Sequence, residues 1–263
     1  MAGGLQYMKF SDFFAYLPTA TSEQAGYDAT RLADWSHTRP LVRTWRSTST
    51  IQQTITCAFS GVKSGTWVAL LNANFSQVQI AVSSDGTTFT DIVTGSGTLT
   101  TRTIAQDLTD GAGFYKLFLP QTYSGKTHGR IVIPAQTAKE NAPYFSLGLL
   151  LWGNNITTMT HSFHAPLTEE YVDPEYRVDG KDWTESAPAG IAYKVTNLRN
   201  TAANVAEMAE WHAIRLLPPG TRLLWHYNRD DTSQIELRER NKPVVVTRHS
   251  VQQEIDTGLR SVA

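Results

Sequence analysis

Two histidines three residues apart, His161 and His164, precede a run of carboxylates: Glu169, Glu170, Asp173, Glu175, Asp179, Asp182 and Glu185. On a helix that spacing would turn two imidazoles toward one metal ion, with a carboxylate to complete the shell. No helical pattern surrounds them, there is no His-Glu-x-x-His, and the ordered oxygen ligands of a calcium loop are missing. The reading is therefore exposed polar residues, with no metal expected. Gly125-Lys126-Thr127 invites a phosphate-loop reading, but the glycine that should open the loop is Pro120. The strand-loop-helix context that holds phosphate is absent as well. Gly61-Val62-Lys63-Ser64-Gly65 has the wrong order for a nucleophile elbow. The single cysteine, Cys57, alternates with Ile55 and Phe59 and reads as a small buried hydrophobe. It excludes an intramolecular disulfide and a cysteine-based zinc cluster. His212, His226 and His249 have no companion spacing. No catalytic constellation emerges, no cofactor is expected, and the chain is read as a non-enzyme.

The elements that would position any site read as β-strands. Ile55, Cys57 and Phe59 alternate with Thr54, Thr56 and Ala58, the period of a half-buried strand. Gly61 to Gly65 is expected to turn. Trp67 to Leu71 is a continuous apolar run, as in a strand covered on both faces. After a loop at Asn72 to Ser76, Val78, Ile80 and Val82 face one way. Asp85-Gly86 predicts a type I′ hairpin turn. Residues 94–113 read as a long loop or a weak strand pair. Tyr115, Leu117 and Leu119 alternate, as do Ile131 and Ile133, with a turn expected from Gln121 to Gly129. Phe145, Leu147, Leu149 and Leu151 predict a last strand ending at Trp152-Gly153. Beyond it, Pro174 and Pro188 interrupt the acidic stretch, which reads as an extended connector. Ile191, Tyr193 and Val195 alternate. Ala202, Val205, Ala209, Ala213 and Leu216 then have helical spacing behind an Asn200-Thr201 cap, and Pro218-Pro219-Gly220 closes that helix. Short alternations follow at Leu223, Trp225 and Tyr227.

The expected fold class is mainly β: an antiparallel jelly-roll β-sandwich, an acidic extended connector, and a small α+β C-terminal unit. The divisions are an N-terminal arm or edge strand at 1–15, the sandwich at 16–155, the connector at 156–189 and the C-terminal unit at 190–263. Lys plus Arg number 23 against 24 Asp plus Glu, a balance that excludes the strong basic excess of a nucleic-acid surface. No apolar run is long enough to span a bilayer, so no membrane partner is expected. The N-terminus lacks the early cation and unbroken apolar core of a signal peptide, since Lys9 comes late and Asp12 interrupts. Synthesis in a cytoplasm is expected.

Several short pieces resemble discoidin-like domains (the factor 5/8 type C, galactose-binding-like family). In order they are Thr19-Ala20-Thr21-Ser22-Glu23, Gly26-Tyr27 with Ala29, Leu32 and Asp34, Trp45-Arg46-Ser47, and Ser83-Ser84-Asp85-Gly86-Thr87-Thr88-Phe89. More narrowly, the chain resembles the version found in tailed-phage virion proteins. That resemblance implies a structural component of a phage tail, baseplate or tail-fibre adaptor, located in the virion and homo-oligomeric among other tail proteins. It also implies a structural calcium in some members. The alternative it implies is a carbohydrate-binding module acting on host glycans. Sugar sites stack an aromatic ring on a pyranose and use Arg, Asn, Asp or His for the hydroxyls. Discoidin-like lectins carry these groups on loops at one end of the sandwich. The corresponding loops here hold Trp35, His37, Arg39 and Arg43, then Asn72, Asn74 and Phe75, and then Tyr123 and His128.

Overall fold

The computed structural model describes residues 12–33, 44–104, 106 and 114–156 with their side chains, and a further set of strands by backbone alone. In chain order the strands are β1 (Gly4–Lys9), β2 (Tyr16–Ala20), β3 (Trp45–Arg46), β4 (Gln53–Ala73), β5 (Gln77–Ser83), β6 (Thr90–Asp91), β7 (Arg102–Thr103), β8 (Ala105–Gln106), β9 (Tyr115–Ile133), β10 (Ser146–Leu147) and β11 (Leu149–Gly153). They continue with β12 (Thr157–Thr160), β13 (Leu167–Val172), β14 (Tyr176–Asp179), β15 (Asp182–Glu185), β16 (Gly190–Val195), β17 (Arg222–Tyr227) and β18 (Asn241–Val245). Every pairing among them is antiparallel.

The sandwich is organised by one long ribbon. β4 and β9 pair along nearly their whole lengths, from Gln53↔Ile133 to Ala73↔Tyr115. The first half of β4 also pairs with β2, and the second half of β9 with β5. The second half of β4 pairs with β11, and the start of β9 with β8. Both halves feed one core: Ile55, Cys57 and Phe59 from the first meet Val68, Leu70, Leu150 and Trp152 from the second. Period-two alternation explains why only every other residue enters it.

The intervening residues at 67–71 are buried too. Trp67, Ala69 and Leu71 join Phe118, Leu149, Leu151 and Phe13 in a second cluster on the opposite face. The continuous apolar run therefore is covered on both sides. The Phe13 ring meets Trp67 edge-on at 5.0 Å, and Phe14 N donates to Trp152 O at 2.8 Å, tying the chain before β2 to the sheet.

Two expected turns are absent. Gly61 to Gly65 and Gln121 to Gly129 lie inside β4 and β9, where the ribbon continues through a series of register shifts between Ala58 and Trp67. Gly61 has φ +84°, the left-handed backbone that a bulge needs and only glycine adopts freely. The polar composition that suggested turns reflects exposure at the bend. The Asp85-Gly86 feature also differs from a type I′ hairpin, which needs positive φ at both residues. Only Gly86 has it. Asp85 acts through its side chain, whose Oδ1 accepts from Thr87 N and Thr88 N at 2.8 Å and from the Ser83 hydroxyl at 2.8 Å. The backbone bonds from Thr88 and Thr87 hold the Asp85 carboxyl well below the usual range. The connection to β6 is thus a longer Asx-type loop.

The expected buried state of Cys57 is observed. Tyr16 shows how side chains close the core. Its hydroxyl donates toward the buried carbonyls of Leu150, at 2.5 Å, and Leu32, at 3.0 Å, linking β2 to β11 and to the short 3-10 turn at Ala29–Ala33. Tyr16→Phe leaves those acceptors short of a donor and is expected to cost about 1–3 kcal/mol in chemical denaturation.

By backbone, β14 pairs with β15 inside the expected connector, and β13 of that stretch pairs with β16 of the expected C-terminal unit. β1, β12, β17 and β18 make a four-stranded sheet. The helix expected over 202–216 lies outside the described residues, as do Trp35, His37, Arg39, Arg43, His161 and His164.

Candidate functional site

At one end of the sandwich β3 pairs with β10 through Ser146↔Arg46 and Leu147↔Trp45. Trp45 turns inward and is fully buried, with its indole N–H on Ser22 O at 3.2 Å. By alternation Arg46 turns outward. Its guanidinium lies over the Tyr27 ring at 4.0 Å and over the Tyr144 ring at 4.9 Å. Two cation–π contacts hold the long side chain in place.

Asn72 arrives by a backbone irregularity. Leu70 faces Leu117 and Ala73 faces Tyr115, so β4 carries one extra residue here. Asn72 takes φ +59°, a left-handed conformation that asparagine tolerates better than most residues. The bulge re-aims its side chain. Asn74 is buried and spends its amide on the chain: Nδ2 donates to Tyr144 O at 2.9 Å, and Oδ1 accepts from Ser146 N at 2.7 Å. Asn74 O accepts from Lys139 N at 2.7 Å. Gln136 pins the same loop to β5, its Oε1 accepting from Ser76 N at 2.9 Å and Gln77 N at 3.0 Å. Lys139 and Tyr144 are thereby fixed opposite Arg46. The Lys139 ammonium pairs with Glu140 at 2.5 Å and stands 5.1 Å from the Phe114 ring centroid. Glu140 and Asn141 both have left-handed φ, 57° and 54°. Such conformations persist only where surroundings over-determine them.

These side chains enclose an open recess of about 130 Å³, bordered among the described residues by Arg46, Asn72, Asn74, Lys139, Glu140 and Tyr144, with Thr44, Phe114, Ala142 and Ser146 between them. It is smaller than the roughly 300–1,000 Å³ of enclosed small-molecule sites. It suits one edge of a polar ring rather than a swallowed ligand.

Of the sequence-derived candidates, Asn72 and Asn74 border the recess. Phe75 does not: it is fully buried against Phe145, rings 5.8 Å apart. Tyr123 is also a core residue, and His128 lies in β9 opposite Ser83. Tyr27 and Arg46 stood out from sequence only as pieces of the resemblance, not as binding residues, and Tyr144 and Lys139 did not stand out at all. The one available signal was that Trp45-Arg46 sits at a strand, so that an inward tryptophan sends the arginine out.

Among the described residues no three His, Cys, Asp or Glu side chains gather as a metal site would require. The calcium implied by resemblance has no fit at Asp91, whose carboxylate is occupied by Arg102 and by backbone N–H groups. No catalytic constellation is present among these residues. No helix among them is long and apolar enough to cross a membrane.

No protein-family description matches this chain, and no curated protein matches it. Solved structures do. A chitosan-binding module from a chitosanase/glucanase of Paenibacillus sp. IK-5 is 20% identical over 53% of this chain and 94% of that chain, with a TM-score of 0.37. CBM32-3 from a family 31 glycoside hydrolase of Clostridium perfringens is 15% identical over 57% and 95%, TM-score 0.41. The N-terminal domain of the single-strand break repair protein XRCC1 is 12% identical over 54% and 99%, TM-score 0.42.

The expectation of a virion protein of a phage tail, baseplate or tail-fibre adaptor is corrected by this result. Solved structures that the chain resembles include carbohydrate-binding modules and a repair-protein domain. The physical reason lies in the residues that suggested it. Ser22 accepts the Trp45 indole, Ser47 caps Phe145 N at 2.8 Å, and Asp85 orders a loop. They specify a sandwich framework and carry no information about a particle.

Proposed function

We propose that this chain is a non-catalytic glycan-binding module and that the recess around Arg46 is its binding site. The observation that carries the reading is the fixed arginine held between Tyr27 and Tyr144, flanked by side chains able to meet hydroxyl groups. Saccharide recognition needs a few rigid polar groups beside an aromatic surface, and rigidity matters because association is penalised by every side chain that must be ordered. Here Asn74 and Gln136 have already ordered the loop. A shallow recess predicts weak, end-on binding of one sugar residue.

Titration of the full chain with a panel of mono- and oligosaccharides tests this. Tyr144→Ala is expected to weaken the best ligand at least tenfold while leaving the melting temperature within a few degrees, since the Tyr144 backbone, not its ring, bonds Asn74. Absence of any saccharide binding, or binding that is indifferent to Tyr144→Ala, would refute the assignment.

A further inference from the structure

The charges in the recess are unbalanced in a way that narrows the ligand class. Lys139 is matched by Glu140. Arg46 is not matched: among the described residues its guanidinium makes no hydrogen bond and no ion pair, and its Nε is buried without a partner. Among the described residues, what the guanidinium meets is the two tyrosine faces. A cation–π contact offsets part of the cost of desolvating a charge, but supplies no acceptor for the N–H groups. Arginine presents a planar fork of donors that matches a carboxylate or a sulfate with two parallel bonds. Glu140 is no competitor for it, because its side chain is 79% exposed and its carboxylate is held by Lys139.

Resting on the glycan-binding reading, we infer that the saccharide this recess takes is anionic, with its acidic group seated on Arg46 and its ring against Tyr144. Asn72, which has no side-chain hydrogen bond among the described residues, lies within the same recess to take a neighbouring hydroxyl. Lys139 adds a second positive charge at the rim, weakened by its pairing with Glu140.

The test uses the full chain and three matched ligands in calorimetric titration: a galacturonic acid trisaccharide, its methyl ester, and a sulfated galactose. Expected is at least tenfold tighter binding of the acid than of its ester at low salt, with the advantage falling as ionic strength rises. Arg46→Gln removes the advantage and Arg46→Lys restores only part of it, while Lys139→Gln weakens binding a few-fold. Should the sulfated sugar bind and the uronate not, the anionic assignment stands with sulfate as its source. Equal binding of acid and ester, with both lost in Tyr144→Ala, would overturn the anionic inference and leave the glycan reading intact. If none of the three ligands binds, and neutral sugars do not bind either, both fall. Thermal melts of each variant separate loss of the site from loss of the fold.

Discussion

Asp91→Ala is expected to lower the stability of the sandwich by about 3–5 kcal/mol, the cost of leaving one half of a buried ion pair alone. For a domain of this size that is a fall of roughly 6–20 °C in melting temperature. The Asp91 side chain is fully buried, and that of Arg102 is 15% exposed. Oδ1 accepts from Val93 N at 2.9 Å, Thr94 N at 3.0 Å and Arg102 Nη2 at 2.8 Å. Oδ2 accepts from Thr100 N at 2.9 Å and Arg102 Nη1 at 3.0 Å. One carboxylate therefore organises the whole passage from β6 to β7. Burial by itself would raise its pKa, but Arg102 and the N–H groups of Thr94, Thr100 and Val93 outweigh burial and hold it below the ordinary range. The sign follows: a folded-state pKa below the unfolded value stabilises above about pH 4 and ceases to do so as pH falls through the folded value. Urea midpoints of wild type and Asp91→Asn should differ widely at pH 7 and converge in strong acid. A gap that stays constant between those conditions would show that the carboxylate's charge is not the stabilising feature. In a double-mutant cycle, Arg102→Ala should add little once Asp91 is gone.

The strand framework was legible where one face of a strand is buried. Ile55, Cys57 and Phe59, or Val78, Ile80 and Val82, announce themselves by period two because the core selects one face and water the other. The same logic misled at 61–65 and 121–129. There the β4–β9 ribbon bends, Ser60 to Val62 are exposed, and backbone pairing persists without an apolar pattern to reveal it. A reader of composition sees glycine and serine and expects a turn. Asp85 was misread for a related reason: its side chain, not its own φ, makes the turn.

The recess was half legible. Asn72 and Asn74 stood out because amides in a loop between strands are conspicuous. Arg46 and Tyr144 are far apart in sequence and meet only because β3 pairs with β10. A two-residue strand has no periodicity to read. Phe75 was conspicuous as an aromatic ring in the same stretch, yet it packs inward, fully buried against Phe145. Sequence types mark candidates; the long-range pairing decides which of them share a surface.

Trp152 carries the second large effect, and its two replacements should part company. The ring is fully buried, edge-on to Phe59 at 5.5 Å and to Tyr123 at 6.2 Å. Gly129 lies so close beneath it that a Cβ there would come within 2.6 Å of the ring, so the sheet has been built around the indole. Trp152→Ala is therefore expected to cost about 3–5 kcal/mol, lost transfer energy plus a cavity the rigid strands cannot fill. The indole N–H, however, has no hydrogen-bond partner at ordinary distance and angle. Its nearness to the Cys57 sulfur opposes, without outweighing, the upward push that burial exerts on that thiol. Removing an unpaired donor forfeits no bond, so Trp152→Phe should cost well under half as much. Cys57 supplies an independent readout. It is buried and its thiol is held protonated, so it should be inert to a disulfide reagent in wild type and in Trp152→Phe, and should react at least tenfold faster in Trp152→Ala as the cavity opens the core. Equal destabilisation by phenylalanine and alanine would mean that the indole nitrogen, rather than the bulk of the ring, is what the core requires.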